Sequence, residues 1–219
     1  MGLRVIGGAN TRVEYQGAGN DGANRSSYTF NGVSLGDAVS RKHIIVAFWC
    51  GSLLGTPGAD GPDACTINGV AATLVAGVGS TTTRIWIAAC NTDTSGTVVV
   101  SRSAGSGMSI GHIDVWAAYD LKSATPIDTA LGGFTGPATG SLDTQGGGIA
   151  VAAASATNAS ALTFAWTGLL VDEAGGTVGG TAGGTSRYSA ASKSKTLTET
   201  LAIESDTTVN CRFIAASFR

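Results

Sequence analysis

From Tyr28 onward the chain is a succession of short apolar runs, each closed by turn-forming residues, the pattern expected of a sandwich or barrel. Ser27-Tyr28-Thr29-Phe30 and Val33-Ser34-Leu35 flank Asn31-Gly32, a dipeptide that accepts the positive φ angles of a tight hairpin. His43 to Cys50 is apolar on both faces and predicts a central strand covered on both sides. After a Gly/Pro loop from Gly51 to Asp63, Thr66-Ile67 is predicted to pair with Val70-Ala71 across Asn68-Gly69. Arg84 to Cys90 and Thr97 to Val100, separated by a turn at Asn91 to Gly96, read as two adjacent strands joined by a tight loop.

Residues 109 to 119 predict a long strand with two unlike faces. At a period of two, Ile113, Val115 and Ala117 share one side and His112, Asp114 and Trp116 the other. Further strands are expected at Ile149 to Ala152, Leu162 to Thr167, residues 195 to 204 and residues 208 to 218, the last carrying Val209, Cys211 and Phe213 on one face. The one stretch with any helical character is Leu35 to Lys42. The four tryptophans, Trp49, Trp86, Trp116 and Trp166, each fall inside a predicted strand, where an aromatic side chain is a large core contribution.

These runs predict an all-β fold: an antiparallel two-sheet sandwich, jelly-roll-like, of about ten strands. Residues 1–27 hold six glycines and show no sustained period, so they read as an irregular N-terminal arm for attachment or assembly, leaving 28–219 as the β-sandwich domain. Composition agrees. The 33 glycines among 219 residues argue against a helical bundle, since glycine costs about 1 kcal/mol relative to alanine inside a helix. A 43% hydrophobic fraction argues against disorder.

Charge narrows the partners. With 13 basic and 15 acidic residues the net charge is −2, which supplies no footprint for a phosphate backbone or an anionic membrane, so neither nucleic acid nor membrane is an expected partner. The start of the chain, Met1 to Gly8, lacks the apolar stretch of a secretory signal, so synthesis as a soluble cytoplasmic product is expected. Cys50, Cys65, Cys90 and Cys211 are far apart and contain no C-x-x-C pair, so they are expected to be free thiols or disulfide partners rather than zinc ligands.

Candidate chemistry is sparse. Gly107-Met108-Ser109-Ile110-Gly111 matches the G-x-S-x-G nucleophile elbow, but an elbow needs a helix after the serine, and a β pattern follows here. Asn91 to Gly96 resembles the first half of a calcium loop, yet its twelfth position is Arg102 instead of a carboxylate, so it reads as a turn. Gly175 to Ser186 repeats Gly-Gly-Thr three times without the flanking strand and Lys-Ser/Thr of a phosphate loop, and reads as a surface loop. No catalytic residue, metal site or cofactor is expected. His112, Asp114 and Trp116 on one strand face, and separately the loop-borne Tyr188, are the candidate ligand-binding residues, the strand set because an aromatic beside an acid suits a sugar.

Several segments resemble a known group. Asn31 to Gly36, Ile45-Val46-Ala47, Ile67 to Ala72, Ile85 to Ala88, Ser95 to Val100 and the terminal Ala215 to Arg219 are similar, in that order, to virion proteins of tailed phages and prophages. The resemblance spans roughly Ser27 to Arg219 and rests on strand and turn patterns, so no functional residue carries over. It implies a non-enzymatic structural role in the virion, as capsid decoration, head spike, neck or tail-fibre component, with itself and other virion proteins as partners. The alternative is a carbohydrate- or host-receptor-binding module displayed on the virion, taking a host-surface glycan or receptor on the strand face at Trp116 or the loop-borne Tyr188. A surface of Ser, Thr, Gly and Ala suits packing against neighbours, because little rotamer entropy is lost on contact.

Overall fold

A computed structural model describes residues 11–52, 61–77, 83–103, 108–132, 138–157, 166–179, 185–194, 200–205 and 211–219. Among them are sixteen strands and no helix: β1 (Arg12–Asp21), β2 (Ser27–Ser34), β3 (Lys42–Ser52), β4 (Ala64–Ile67), β5 (Val70–Ala71), β6 (Thr73–Ala76), β7 (Thr83–Ala89), β8 (Ser95–Ser101), β9 (Met108–Tyr119), β10 (Asp128–Gly132), β11 (Ala138–Asp143), β12 (Ile149–Thr157), β13 (Leu170–Gly179), β14 (Thr185–Ser194), β15 (Thr200–Ser205) and β16 (Cys211–Phe218). All pairings are antiparallel, so the fold is the all-β antiparallel sandwich that the alternation predicts.

The sheets stack in three layers. A central sheet runs β1-β9-β3-β7-β6, one outer sheet runs β2-β8-β4-β5, and the other runs β10-β16-β12-β14-β13, with the ribbon β11-β15 beside it. Between the central sheet and the β2-β8-β4-β5 sheet lie Ile44, Val46 and Phe48 of β3, Trp86 of β7, Ile113, Val115 and Ala117 of β9, and Tyr28, Val98 and Val100 opposite them. On the other face, Ile45 and Ala47 of β3, Ile85 and Ile87 of β7 and Trp116 of β9 meet Ile149, Val151, Ile214, Ala216 and Phe218. A third cluster, around Phe213 and the alanines of β12, packs under Leu142 of β11. The expected sandwich is thus formed twice, with the central sheet common to both. β3, apolar on both faces, sits in its middle between β9 and β7.

Asn68-Gly69 makes the expected hairpin, with φ of 49° and 78° joining Ile67 to its partner Val70. Other local expectations are corrected. Asn31-Gly32 does not reverse the chain: β2 continues through it, and the positive φ at Gly32 belongs to a bulge between Phe30 and Val33 opposite β8. β7 and β8 are not neighbours, because β7 pairs in the central sheet and β8 in an outer one, so their connection crosses between layers. Leu35 to Arg41 is irregular, not helical. The Gly-Gly-Thr repeats are not all loop either, since Gly175-Gly176-Thr177 and Gly179 belong to β13, whose register against β14 shifts on each side of Glu173. Trp166 lies outside any strand, half-buried, while Trp49, Trp86 and Trp116 are core. Residues 158–165, 195–199 and 206–210, on which parts of the last predicted strands fall, lie outside the described residues.

The irregular arm is the largest correction. Residues 1–10 lie outside the described residues, but 12–21 form β1, paired along its length with β9. Its glycines serve packing. Gly17, at φ +123°, sits at the bulge in the β1–β9 ladder, and a Cβ on Gly19 would lie 2.9 Å from the Phe30 ring. Gly111 of β9 has the same duty inside the core, where a Cβ would meet the buried Tyr28 ring at 2.7 to 2.8 Å. The Tyr28 hydroxyl, 2.8 Å from the carbonyls of Met108 and Ala23, holds that ring in place. Gly111→Ala is therefore expected to destabilise the fold by about 1–3 kcal/mol, the usual cost of overpacking. Denaturant unfolding measures it, and an unchanged midpoint would show that the ring is free to move aside.

Candidate functional site

The polar residues of β9 face the β10-β16-β12-β14-β13 sheet, and the structure brings the four candidate ligand residues into one region. Alternation along β9 places His112, Asp114 and Trp116 on that side. β14 lays Tyr188 against His112, ring centroids 3.4 Å apart at 25°. His112, Asp114 and Trp116 are each at most 2% exposed and Tyr188 is 7% exposed, so this is a covered seam between two sheets and not the open face or loop that period and composition suggested. Tyr188 belongs to β14, not to a loop.

Inside the seam most of the polar groups pair with one another. His112 Nε2 lies 3.2 Å from Asp114 Oδ2, and the Tyr15 hydroxyl donates to Asp114 Oδ1 at 3.0 Å. Tyr15 reaches it because β1 pairs antiparallel with β9, placing Tyr15 opposite Trp116, one same-face step from Asp114. The Tyr15 and Trp116 rings are tilted against each other at 5.8 Å. Trp116 Nε1 donates to Asp172 Oδ2 at 2.8 Å, and Ser192 also bonds that carboxylate. His112 Nδ1 is buried without a hydrogen-bond partner, lying in a ring stacked on Tyr188. Burial pushes the Tyr15 phenol well above its ordinary range, with the charge of Asp114 adding to it, and it raises Tyr188 as well.

A second buried polar group lies at the opposite end of the central sheet. Lys42 is fully buried, and its Nζ donates to the carbonyls of Asp93 at 2.6 Å and Asp37 at 2.8 Å. Asn91 Oδ1 accepts from the Lys42 backbone N–H at 3.2 Å, and Cys90 Sγ donates to Asp93 Oδ2 at 3.4 Å. The loop that resembled half a calcium site therefore does hold a cation, the ammonium of Lys42. Burial lowers the Lys42 pKa and raises that of Cys90. Cys50, Cys65 and Cys90 are buried thiols, burial pushing Cys65 up to about 12, and the side chain of Cys211 lies outside the described residues.

Ser109 is a buried residue in β9, in the middle of the sheet packing, where a Cβ on Gly51 would collide with its Oγ. A strand, not a turn into a helix, surrounds it, so the elbow geometry is not formed. Among the described residues no three His, Cys, Asp or Glu side chains group as metal ligands, and no helix is long and apolar enough to cross a membrane. Tyr15 and Lys42 are the participants missed by sequence reasoning. The alternation Arg12-Val13-Glu14-Tyr15 was a signal for β1, cut short by the bulge at Gly17.

No family model matches the chain, and no curated protein matches it by sequence. Among solved structures it is similar to a crystal structure of Cucumber Necrosis Virus, at 9% identity over 94% of this chain and 85% of that one, with a TM-score of 0.25. It is also similar to dimeric latent PorU from Porphyromonas gingivalis, at 9% identity over 98% of this chain and 21% of that one, with a TM-score of 0.31. Cucumber Leaf Spot Virus gives 9% identity, coverage of 94% and 86%, and a TM-score of 0.22. None of the three superposes closely enough to bring a role with it.

The seam has a consequence for pH. Burial raises the Asp172 carboxyl above its ordinary 3.8, and the nearby Asp114 charge raises it further. In the unfolded chain the group titrates near 3.8, so between that value and the folded pKa the native state holds the extra proton. Its stabilisation is full below 3.8 and is lost as pH rises through the folded pKa. Asp172→Asn abolishes this dependence. Wild type should gain stability relative to Asp172→Asn as pH falls from neutrality toward 3.8, measured by urea unfolding at each pH; a difference that moves the other way contradicts the assignment.

Proposed function

We propose that this chain is a non-enzymatic structural protein of a tailed-phage virion, a decoration, spike, neck or tail component that acts by assembling with itself and with other virion proteins. The observation that carries the reading is where its apolar surface lies. Of the large apolar residues that are exposed, Val70 is on β5, Leu74 on β6, Leu131 on β10, and Leu170 and Val171 on β13, with Val39 in a connection. All four of those strands end the order of their sheets among the described residues. Sheet edges carry unpaired backbone groups, and monomeric proteins guard them with charge, proline or cover. Here they carry leucine and valine, which suits edges that a neighbouring subunit completes.

The interior supports the same reading from the other direction. Asp114, His112 and Lys42 are withdrawn from solvent, and they bond to one another, to Tyr15 or to backbone carbonyls. The sequence resemblance to virion proteins, carried by strand and turn segments from Asn31 to Arg219, points the same way.

β6 and β10 lie against each other at one side of the stack, so Leu74 and Leu131 make the most direct test of the edge. Leu74→Lys with Leu131→Lys should leave folding intact, since both residues are exposed, and should remove the protein from gradient-purified particles, read by quantitative mass spectrometry of the virion. Wild-type protein missing from purified particles would overturn the virion role. Normal incorporation of the double variant would overturn the edge as the contact.

A further inference from the structure

At the side of the stack away from β6 and β10, the edge of β1 and the β13–β14 hairpin enclose a cleft of about 650 Å³. That lies in the size range of small-molecule sites, roughly 300–1,000 Å³. The floor is stitched shut: Ser194 Oγ accepts from the Val13 N–H at 2.8 Å and donates to the Val13 carbonyl at 3.2 Å, closing the β1 edge as a neighbouring strand would. Val13 and Leu169 are buried in its walls, and Leu170, 74% exposed, stands at its rim.

Tyr15 and Asp172 are held in fixed positions. Tyr15 lines the cleft with a ring pinned by the bond from its hydroxyl to Asp114 and tilted against Trp116. Asp172 is oriented by the Trp116 N–H at 2.8 Å and by Ser192, which is itself 6% exposed. Lys193 belongs to the same lining. One acid and one base among the described lining residues balance, so neither an anion nor a cation is selected. What the lining matches is a neutral molecule with hydroxyl groups along one edge and C–H groups across one face.

The geometry points to a saccharide-binding site in the cleft between β1 and β13, in which Asp172 and Lys193 engage ligand hydroxyls while Tyr15 and Leu169 pack against the C–H face of the sugar ring. A carboxylate fixed in orientation accepts two hydroxyl donors, an ammonium donates to hydroxyl or ring oxygens, and an aromatic ring beside an aliphatic wall offers the apolar contact. The site differs from the His112, Asp114, Trp116 and Tyr188 set, which lies behind it and supports it: Trp116 orients Asp172, and Asp114 pins Tyr15. It lies away from the Leu74 and Leu131 edge on which the assembly test rests, and shares with the exposed edges only the rim residue Leu170 of β13.

The test is an array of host-surface and bacterial saccharides, followed by titration of any hit against wild type, Asp172→Asn and Lys193→Ala. Asparagine keeps an oxygen for the Trp116 N–H, so the fold is expected to persist, with amide NMR spectra as the check. Binding should weaken about 10-fold or more in each variant, the usual loss when one charge-assisted hydrogen bond is removed, and ligand-induced shifts should centre on the amides of Tyr15, Ser192 and Lys193. The proposal is overturned if no saccharide binds the wild type, if hits bind both folded variants as tightly as wild type, or if only an extended peptide laid along β13 occupies the cleft.

Discussion

Because β3 and β9 carry large apolar side chains on both faces, the central sheet is stable only with a sheet packed on each side of it. Ile44, Val46 and Phe48 point one way and Ile45 and Ala47 the other, and all five are at most 1% exposed. Burying one such side chain is worth about 1.5–3 kcal/mol, so a central sheet left open on either face would lose more than a domain's net stability. The three-layer stack follows from this requirement. So does the path of the chain, which leaves the central sheet after β7, builds β8 in one outer layer, returns as β9 and then completes the other layer from β10 onward.

The same requirement explains the polar seam. A strand buried on both faces has no wet side on which to place His112 and Asp114, so their partners must come from protein. Tyr15 supplies a hydroxyl to Asp114 from the neighbouring strand, Tyr188 stacks on His112 from the covering sheet, and Asp172 of that sheet accepts from Trp116. An acid removed from water without such donors would be costly, whereas matched groups lock the registers of β1, β9, β13 and β14 together. Lys42 does comparable work at the other end, where its ammonium ties the connections around Asp37 and Asp93 to the central strand. These groups are structural, and the cleft beside them inherits positions that they fix.

Much of the fold was legible wherever a signal was local. The run from His43 to Cys50 announced a strand with two buried faces, Asn68-Gly69 announced its hairpin, and the period of two from His112 to Ala117 sorted the side chains of β9 correctly. What was illegible depended on contacts distant in sequence. Asn31-Gly32 has the same chemistry as Asn68-Gly69, but β8 pairs along both sides of it, so its positive φ is absorbed as a bulge. Gly17 and Gly19 look like an arm until β9 pairs with them, the first taking up the bulge and the second lying under Phe30 and Ile113. The face of β9 bearing His112 looks open until β13 and β14, more than fifty residues later, cover it.

The central claim, that the fold is organised around a sheet covered on both faces, is tested most directly by native-state hydrogen exchange. The amides of β3 and β9 should exchange last, at the rate of global unfolding, with no amide of β8 or β12 outlasting them. If the amides of either outer sheet remained protected after β9 had exchanged, that sheet would be stable without the central one, and the account would be wrong.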